Sequence, residues 1–271
     1  MTTLGIIAGN RKFPQVFAQE ARRAGIKRLV VVAFEKETDP AIEPLVDHME
    51  WVKLGQLDKL VKAFRKHDVH EVVMVGQIAP QNLFANLRLD MRMTLLLARL
   101  KRRNAETIFG AIGEELAKEG VQLVSHTKFL QRLIPKAGIL THRKPSVEEH
   151  EDFKFGFQIA KSIATLDIGQ TVVVKQGTVL AVEAFEGTDA TLLRGGKLGR
   201  NHAVAVKVSK PGQDMRFDTP CIGCVTIETL KRAGISAFGI EAGKTLLLEK
   251  ETLMKIANTA NIAIEALEVV Y

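Results

Sequence analysis

Residues 4–14 read LGIIAGNRKFP, an apolar run that enters a glycine-containing turn and continues into a stretch with Pro14 near its start. An apolar run that contains β-branched residues favours a buried strand. Pro14 suits the first turn of a helix, where its fixed φ fits and its missing N–H is not needed. A strand that turns directly into a helix opens a βαβ unit, so this stretch predicts a parallel sheet covered by helices.

The same alternation of apolar runs and amphipathic stretches continues through the first half of the chain. It predicts strands at residues 4–8, 29–33, 51–54, 72–75 and 121–124, and helices at residues 13–24, 57–67, 87–102 and 105–118. Met91, Met93 and residues 95–97 suit contact with acyl chains, but a buried helix face needs the same residue types and is our default interpretation. The pattern predicts an N-terminal Rossmann-like domain at residues 1–138.

The second half has a different order of elements. It predicts helices at residues 147–164, 226–233 and 251–260, and strands at residues 171–175, 178–183, 204–208, 237–240 and 245–248. Residues 134–146 hold two prolines and a glycine without clear periodicity, which indicates a linker. We therefore predict an α/β protein with a second, C-terminal domain of mixed sheet at residues 147–271, and expect a ligand in the cleft between the domains.

The composition limits the class of partner. The 271 residues are 46% hydrophobic and 25% charged, as in ordinary globular proteins, and are enough for two domains. A net charge of +7 favours anionic partners, namely phosphorylated substrates, nucleic acid or an anionic membrane surface. Aromatic residues make up 6% and do not alternate with basic ones as single-strand binding requires, so we expect no nucleic-acid partner.

The chain lacks the features of export and of disulfide scaffolds. Its first residues show no basic segment followed by a long apolar run, and no apolar run is long enough to span a membrane, so we expect a cytoplasmic protein. Cys221 and Cys224 are the two cysteines and exclude a disulfide framework. No second cysteine pair completes a structural zinc site, so we interpret both thiols as incidental.

The turn after the first predicted strand is a candidate phosphate site. Gly9, Asn10, Arg11 and Lys12 precede a helix whose first N–H groups and dipole favour an anion. The dinucleotide fingerprint Gly-x-Gly-x-x-Gly is absent, so phosphate contact and a purely structural turn are equally compatible with the spacing. Gln77 follows another predicted strand at the same end of the sheet and is a second candidate for substrate contact.

Residues 207–223, KVSKPGQDMRFDTPCIG, form the richest candidate site. Asp214 and Asp218 offer two carboxylates, and Lys210 and Arg216 add two cations nearby. Oxygen ligands of this type suit Mg²⁺ or Mn²⁺, which bridges a diphosphate and lowers the pKa of a bound water. The alternative is a solvated loop in which Arg216 pairs with a neighbouring acid.

A second acidic group lies at residues 183–189, EAFEGTD. Glu183, Glu186 and Asp189 are candidate metal ligands or partners for sugar hydroxyls, and Thr188 is a candidate substrate contact. The alternative is a capping arrangement, in which Thr188 and Asp189 stabilise the start of a helix. Gln170, which follows Asp167 and Gly169, is a candidate substrate contact beside a glycine that would otherwise simply end a helix.

Together these motifs identify a resemblance. The segments 5–9 (GIIAG), 167–170 (DIGQ), 181–189 (AVEAFEGTD) and 210–223 (KPGQDMRFDTPCIG) resemble the LpxI family of UDP-2,3-diacylglucosamine pyrophosphatases, in order and spacing, over nearly the whole chain. The resemblance implies a Rossmann-like first domain, a catalytic α/β second domain, a homodimer and Mg²⁺-dependent hydrolysis to UMP and 2,3-diacylglucosamine 1-phosphate in lipid A biosynthesis. It maps the essential aspartate to Asp218, with Asp214 as the next choice.

The residues and the resemblance lead to one hypothesis. Asp218, Asp214, Glu183, Glu186 and Asp189 would hold Mg²⁺ and orient water. The phosphate charge would be neutralised by Arg216, Lys210 and Arg194. The basic surface would support peripheral contact with the inner membrane, where the lipid-linked UDP-sugar substrate resides.

Two other classes of function remain as alternatives. A non-catalytic nucleotide- or lipid-binding protein would use the same first domain and basic charge, but it leaves the acidic motifs unexplained. An NAD-dependent dehydrogenase requires fingerprint glycines that are absent and an acid after the second strand, for which Glu35 is the nearest candidate.

Overall fold

The computed structural model describes residues 2–78, 88–102, 104–216 and 219–268. These residues form two compact units. The first contains residues 2–131 together with residues 214–216, and the second contains residues 132–213 and 219–268. A short segment far along the chain therefore belongs to the first unit.

The first unit has a parallel sheet in the order β3-β2-β1-β4-β5, which confirms the predicted Rossmann-like domain. Its strands are β1 Thr3–Ala8, β2 Arg28–Phe34, β3 His48–Val52, β4 Glu71–Val75 and β5 Gln122–Leu123. Its described helices are α1 Phe13–Arg23, α2 Leu57–Lys66, α3 Met91–Arg99 and α4 Ala105–Lys118. Short 3-10 helices lie at Pro40–Leu45 and His126–Phe129.

The central strands lie where the sequence predicts them, because helices cover both faces of the sheet. Leu4 and Ile6 in β1 and all five residues 29–33 in β2 are fully buried. The edge strand β3 instead begins three residues before the predicted start at Trp51 and ends two residues before the predicted end at Leu54. Its Trp51 is 40% exposed, because an edge strand buries only part of its surface. The apolar pattern in the sequence of such a strand is therefore weaker than in a central strand.

Helix α3 begins at a side-chain cap rather than at the residue that periodicity suggests. Asp90 accepts a hydrogen bond from the Met93 N–H at 2.8 Å, and its other carboxylate oxygen accepts one from the Asp58 N–H at 2.7 Å. The carboxylate thus satisfies backbone donors at the start of both α3 and α2. The predicted start at Leu87 lies outside the described residues.

The second unit has a mixed sheet in the order β6-β13-β11-β9-β7-β8, as expected for the C-terminal domain. Its strands are β6 Gly138–Ile139, β7 Thr171–Lys175, β8 Thr178–Val182, β9 Ala203–Lys207, β11 Ile235–Glu241 and β13 Ala263–Leu267, and β10 Cys221–Ile222 pairs separately with β12 Leu246–Leu247. The helices are α5 Val147–Thr165, α6 Thr188–Gly199, α7 Cys224–Ala233 and α8 Lys250–Thr259.

Three features of this unit differ from the sequence-based expectation. Strand β13 was not predicted, although it pairs in parallel with the buried strand β11. The stretch predicted as a linker supplies β6, which pairs with β13 in antiparallel fashion. Helix α6 continues through Gly195 and Gly196, beyond the short helix-like segment ending at Arg194 that the sequence suggests. A Cβ at Gly195 would lie 2.5 Å from the Cβ of Val173, so this position requires glycine.

Among the described residues, no helix combines the length and the apolar character that a membrane span requires.

Candidate functional site

The predicted phosphate turn joins the carboxyl ends of β1 and β4. The Gly9 N–H donates to the carbonyl of Val75 at 2.8 Å, and the Asn10 N–H donates to the carbonyl of Gln77 at 2.7 Å. A Cβ at Gly9 would collide with the Gln77 carbonyl oxygen, so the close approach of the two chain segments requires glycine. The structure therefore brings Gly9, Asn10 and Gln77 together at one end of the sheet.

Arg11 and Lys12 follow with exposed side chains at the start of α1. Arg11 has a φ of 63°, an unusual conformation for a residue with a side chain, which costs about 1–3 kcal/mol. Lys12 is the N-cap of α1, and its side chain makes no capping hydrogen bond. The first turn of α1 and two cations are thus placed together, an arrangement that favours a bound anion.

The aspartate-rich segment is held by the first unit. The Ser125 hydroxyl donates to the carbonyl of Met215 at 2.9 Å, and Nδ1 of His126 lies 3.2 Å from the carbonyl of Arg216. Because a carbonyl only accepts, Nδ1 carries the proton. Two consecutive side chains thereby fix two consecutive peptide groups of the segment.

Asp214 pairs with Arg216, as the solvated-loop alternative predicted. Nε of Arg216 lies 2.9 Å from Oδ1 of Asp214, and Nη2 lies 2.6 Å from Oδ2. The hydrogen bonds from Arg216 hold the pKa of Asp214 below its ordinary value, so the carboxylate is ionised. Asp218, the first choice for the essential residue, lies outside the described residues.

Lys210 lies in the second unit and binds a carboxylate there. Its Nζ is 2.9 Å from Oδ1 of Asp167, and its backbone N–H donates to Oε1 of Gln213 at 2.7 Å. Just before it, Ser209 donates through its N–H and its hydroxyl to Glu241, which also binds Nζ of Lys161. The start of the loop that leads to Asp214 is therefore anchored on a buried ion pair.

Glu183 belongs to a buried chain of polar groups that the sequence did not reveal. It accepts from the Gln170 backbone N–H at 3.2 Å and from the Thr188 hydroxyl at 2.8 Å. Nζ of Lys207 donates to the same hydroxyl at 2.7 Å. Lys207 and Glu183 are 9% and 8% exposed. In the sequence, Lys207 is marked only by its position directly after the apolar residues 203–206.

Glu186 pairs with Arg194 across the first turns of α6. Nη2 of Arg194 lies 2.6 Å from Oε1 of Glu186 and donates to the Val182 carbonyl at 2.8 Å. Hydrogen bonds from the backbone N–H of Glu186 itself and from Arg194 hold the pKa of the Glu186 carboxyl below its ordinary value. Asp189 lies in the first turn of α6, where a negative charge suits the helix dipole, as the capping alternative predicted.

The candidate metal site stays a prediction. Asp214 lies in the first unit, Glu183, Glu186 and Asp189 lie in the second, and Asp218 lies outside the described residues. In the described part of the chain, no group of three or more His, Cys, Asp or Glu side chains is placed to hold a metal ion. The oxygen donors of the candidate residues have the right chemistry for Mg²⁺.

His126 predicts a pH dependence of stability. It is 1% exposed, and burial lowers its pKa from 6.5 to about 4. Below pH 6.5 the unfolded chain binds a proton that the folded chain excludes, so the free energy of unfolding falls by about 2–3 kcal/mol between pH 7 and pH 4.5. Urea unfolding at both pH values should show a smaller fall in His126→Phe. The exposed His142→Phe is the control, and equal falls in all three proteins would contradict the prediction.

Comparison with known proteins agrees with the resemblance. The LpxI N-terminal domain family matches residues 3–133, and the LpxI C-terminal domain family matches residues 136–265. A protein of Caulobacter vibrioides (strain ATCC 19089 / CIP 103742 / CB 15), UDP-2,3-diacylglucosamine pyrophosphatase LpxI, is 31% identical over 271 residues, which cover 95% of each chain.

Likeness to solved structures is weak. A phosphoribosylglycinamide synthetase from Anaerococcus prevotii is 10% identical with a TM-score of 0.27, over 68% of this chain and 39% of its own. An N5-carboxyaminoimidazole synthetase from Staphylococcus aureus complexed with ADP is 16% identical with a TM-score of 0.26, over 73% and 44%. The family matches extend over both halves of the chain and confirm the resemblance, so this chain belongs to the LpxI family.

Proposed function

We propose that this protein hydrolyses the diphosphate of UDP-2,3-diacylglucosamine, releasing UMP and 2,3-diacylglucosamine 1-phosphate for lipid A biosynthesis. As a member of the LpxI family, the chain is a hydrolase. The observation that carries the proposal is the match to a relative named for this pyrophosphatase, at 31% identity over 95% of both chains. Two proteins that share only one isolated motif would not match over 95% of both chains.

The cations of the chain are proposed to bind the diphosphate. Arg216, Lys210 and Arg194 each pair with a carboxylate in this structure. Such partly exposed ion pairs contribute about 0–1 kcal/mol, so exchanging a carboxylate for a phosphate oxygen costs little. Arg11 and Lys12 are exposed at the start of α1, where no side chain caps the helix. They are therefore placed to bind a phosphate oxygen directly.

The acidic residues are proposed to hold Mg²⁺ or Mn²⁺. Asp218 and Asp214 are the principal ligands in this proposal, with Glu183, Glu186 and Asp189 as the further candidates. The bound metal would polarise the diphosphate and lower the pKa of the attacking water. Arg216 occupies both carboxylate oxygens of Asp214 in this structure, so metal binding by Asp214 and phosphate binding by Arg216 would both require this pair to open.

Peripheral contact with the cytoplasmic face of the inner membrane, and a homodimer, complete the proposal. Met91 and Leu95 on α3 are 75% and 51% exposed, although both are large and apolar. Arg88, Arg99 and Lys101 are exposed around them. Apolar side chains bordered by cations suit an anionic lipid surface. The homodimer rests on the family resemblance.

UMP release tests the proposal. Purified protein with UDP-2,3-diacylglucosamine and Mg²⁺ should release UMP, EDTA should stop the release, and added Mg²⁺ should restore it, because a metal site group contributes several kcal/mol to lowering the barrier. UDP-glucose, which lacks acyl chains, is the matched substrate control. Release that is insensitive to EDTA would remove the metal from the proposal. No release under any condition would favour the non-catalytic nucleotide- or lipid-binding alternative.

A further inference from the structure

The first unit contains an apolar cavity at the carboxyl ends of its strands. Its space between atoms, together with the solvent at its open mouth, is about 820 Å³. Phe34 and Met74 line it from the sheet. Met93 from α3, and Ile108, Phe109 and Ile112 from α4, line the opposite side. In open parallel sheets this end is the usual place for a ligand.

The cavity offers almost nothing to a polar ligand. Among the described residues that line it, Gln56 has the one polar side chain, and its Oε1 already accepts a hydrogen bond from the Lys53 N–H at 3.1 Å. A base or a sugar bound here would lose its hydrogen bonds to water without replacing them, which costs free energy. Cavities of this kind bind hydrocarbon.

One end of the cavity adjoins the candidate phosphate turn. Gly9 and Gly76 contribute to its lining, and Asn10 bridges to Gln77 at the same place. The exposed cations Arg11 and Lys12 follow directly in the chain. A ligand that reaches from the turn into the cavity therefore needs an anionic head and a hydrocarbon tail.

The apolar residues of helix α3 contribute both to the core and to the cavity. Leu96 is 4% exposed and belongs to the core, whereas Met93 lines the cavity. Met93 also packs against this core, so core packing, the default interpretation of the sequence, accounts for both residues, and the cavity gives Met93 an additional role. Met93 is unbranched and adapts to chains of different shape.

We propose that this cavity binds an acyl chain of the diacyl sugar substrate and sets the acyl-chain length that the enzyme prefers. The inference rests on the proposed function, because that function supplies an anionic, doubly acylated ligand. Each methylene that leaves water for the cavity contributes about fourfold to kcat/KM, so activity rises with chain length until the cavity is full.

Narrowing the cavity tests the inference. Ile112→Trp should lower kcat/KM for a long-chain UDP-2,3-diacylglucosamine at least tenfold and leave a short-chain analogue within about twofold, because only the long chain reaches the added ring. Ala117→Trp, at an exposed position of the same helix, is the matched control and should change neither value. Met93→Trp repeats the test from α3, and thermal melting identifies any variant that fails to fold.

A binding measurement separates this inference from the proposed function. The fluorescent fatty acid cis-parinaric acid should bind the wild type and Ala117→Trp, and should bind Ile112→Trp and Met93→Trp at least tenfold more weakly. If the wild type releases UMP but both cavity variants keep its chain-length profile, the cavity assignment is wrong and the function stands. If the wild type releases no UMP, weaker fatty-acid binding by the two variants still supports the cavity, and equal binding by all four proteins overturns it.

Discussion

Asp218→Ala is expected to lower Mg²⁺-dependent UMP release at least 100-fold. The residue is the second carboxylate of the aspartate-rich motif, to which the family resemblance maps the essential aspartate. Losing a principal group of a catalytic metal site removes several kcal/mol of transition-state stabilisation, and each 1.4 kcal/mol is about a factor of ten in rate. The loss should appear in kcat, because the metal acts on the reacting diphosphate.

Two further variants complete this experiment. Asp68→Ala removes an exposed aspartate on the surface of the first unit and should keep wild-type turnover. Asp218→Ala with more than about a tenth of wild-type turnover would contradict the role given to Asp218. Asp214→Ala then distinguishes the two aspartates, since a full loss in that variant alone would transfer the essential role to Asp214.

Glu241→Ala should destabilise the folded protein by about 3–5 kcal/mol. Glu241 is 1% exposed and accepts hydrogen bonds from the N–H and the hydroxyl of Ser209, at 2.7 and 2.8 Å, and from Nζ of Lys161 at 2.7 Å. Removing the carboxylate leaves the Lys161 ammonium without its carboxylate partner and the Ser209 N–H unsatisfied in the interior. The free energy of unfolding in urea measures the effect.

A surface pair provides the comparison for Glu241. Glu151 and Lys154 lie 2.8 Å apart with side chains 65% and 58% exposed. Water screens this pair, so Glu151→Ala should leave the free energy of unfolding close to the wild-type value. A Glu241→Ala loss as small as the Glu151→Ala loss would show that the buried pair does not hold the loop at Ser209.

The fold was predictable where local pattern and burial agree. Strands β1, β2 and β4 are buried on both faces, so continuous apolar runs mark them. The edge strand β3 was predicted three residues late, because it carries polar residues at exposed positions, and the last strand β13, with a half-buried glutamate at its centre, was not predicted. Helix α6 extends through two glycines, which are poor helix formers. Close approach to Val173 explains Gly195, and close approach to Ala233 explains Gly196.

The candidate site was predictable only in part, because local sequence does not reveal distant partners. The turn at Gly9 follows from strand, glycine and helix in direct succession. The buried positions of Lys207 and Glu241 were not predicted. The partner of Lys207 lies 19 residues away and the partners of Glu241 lie 32 and 80 residues away. A charged residue at a strand end normally indicates exposure to solvent. The attachment of residues 214–216 to the first unit likewise has no local signal.

That attachment has a consequence for how the protein is made. On the ribosome, the Ser125 hydroxyl and the His126 imidazole emerge 90 residues before the carbonyl groups that they bind. The first unit therefore reaches its final form only after residues 132–213 of the second unit have been synthesised. Contacts of such long sequence separation form late, because a large loop must close first. Cutting the chain between the two halves would separate Ser125 and His126 from the carbonyl groups that they bind.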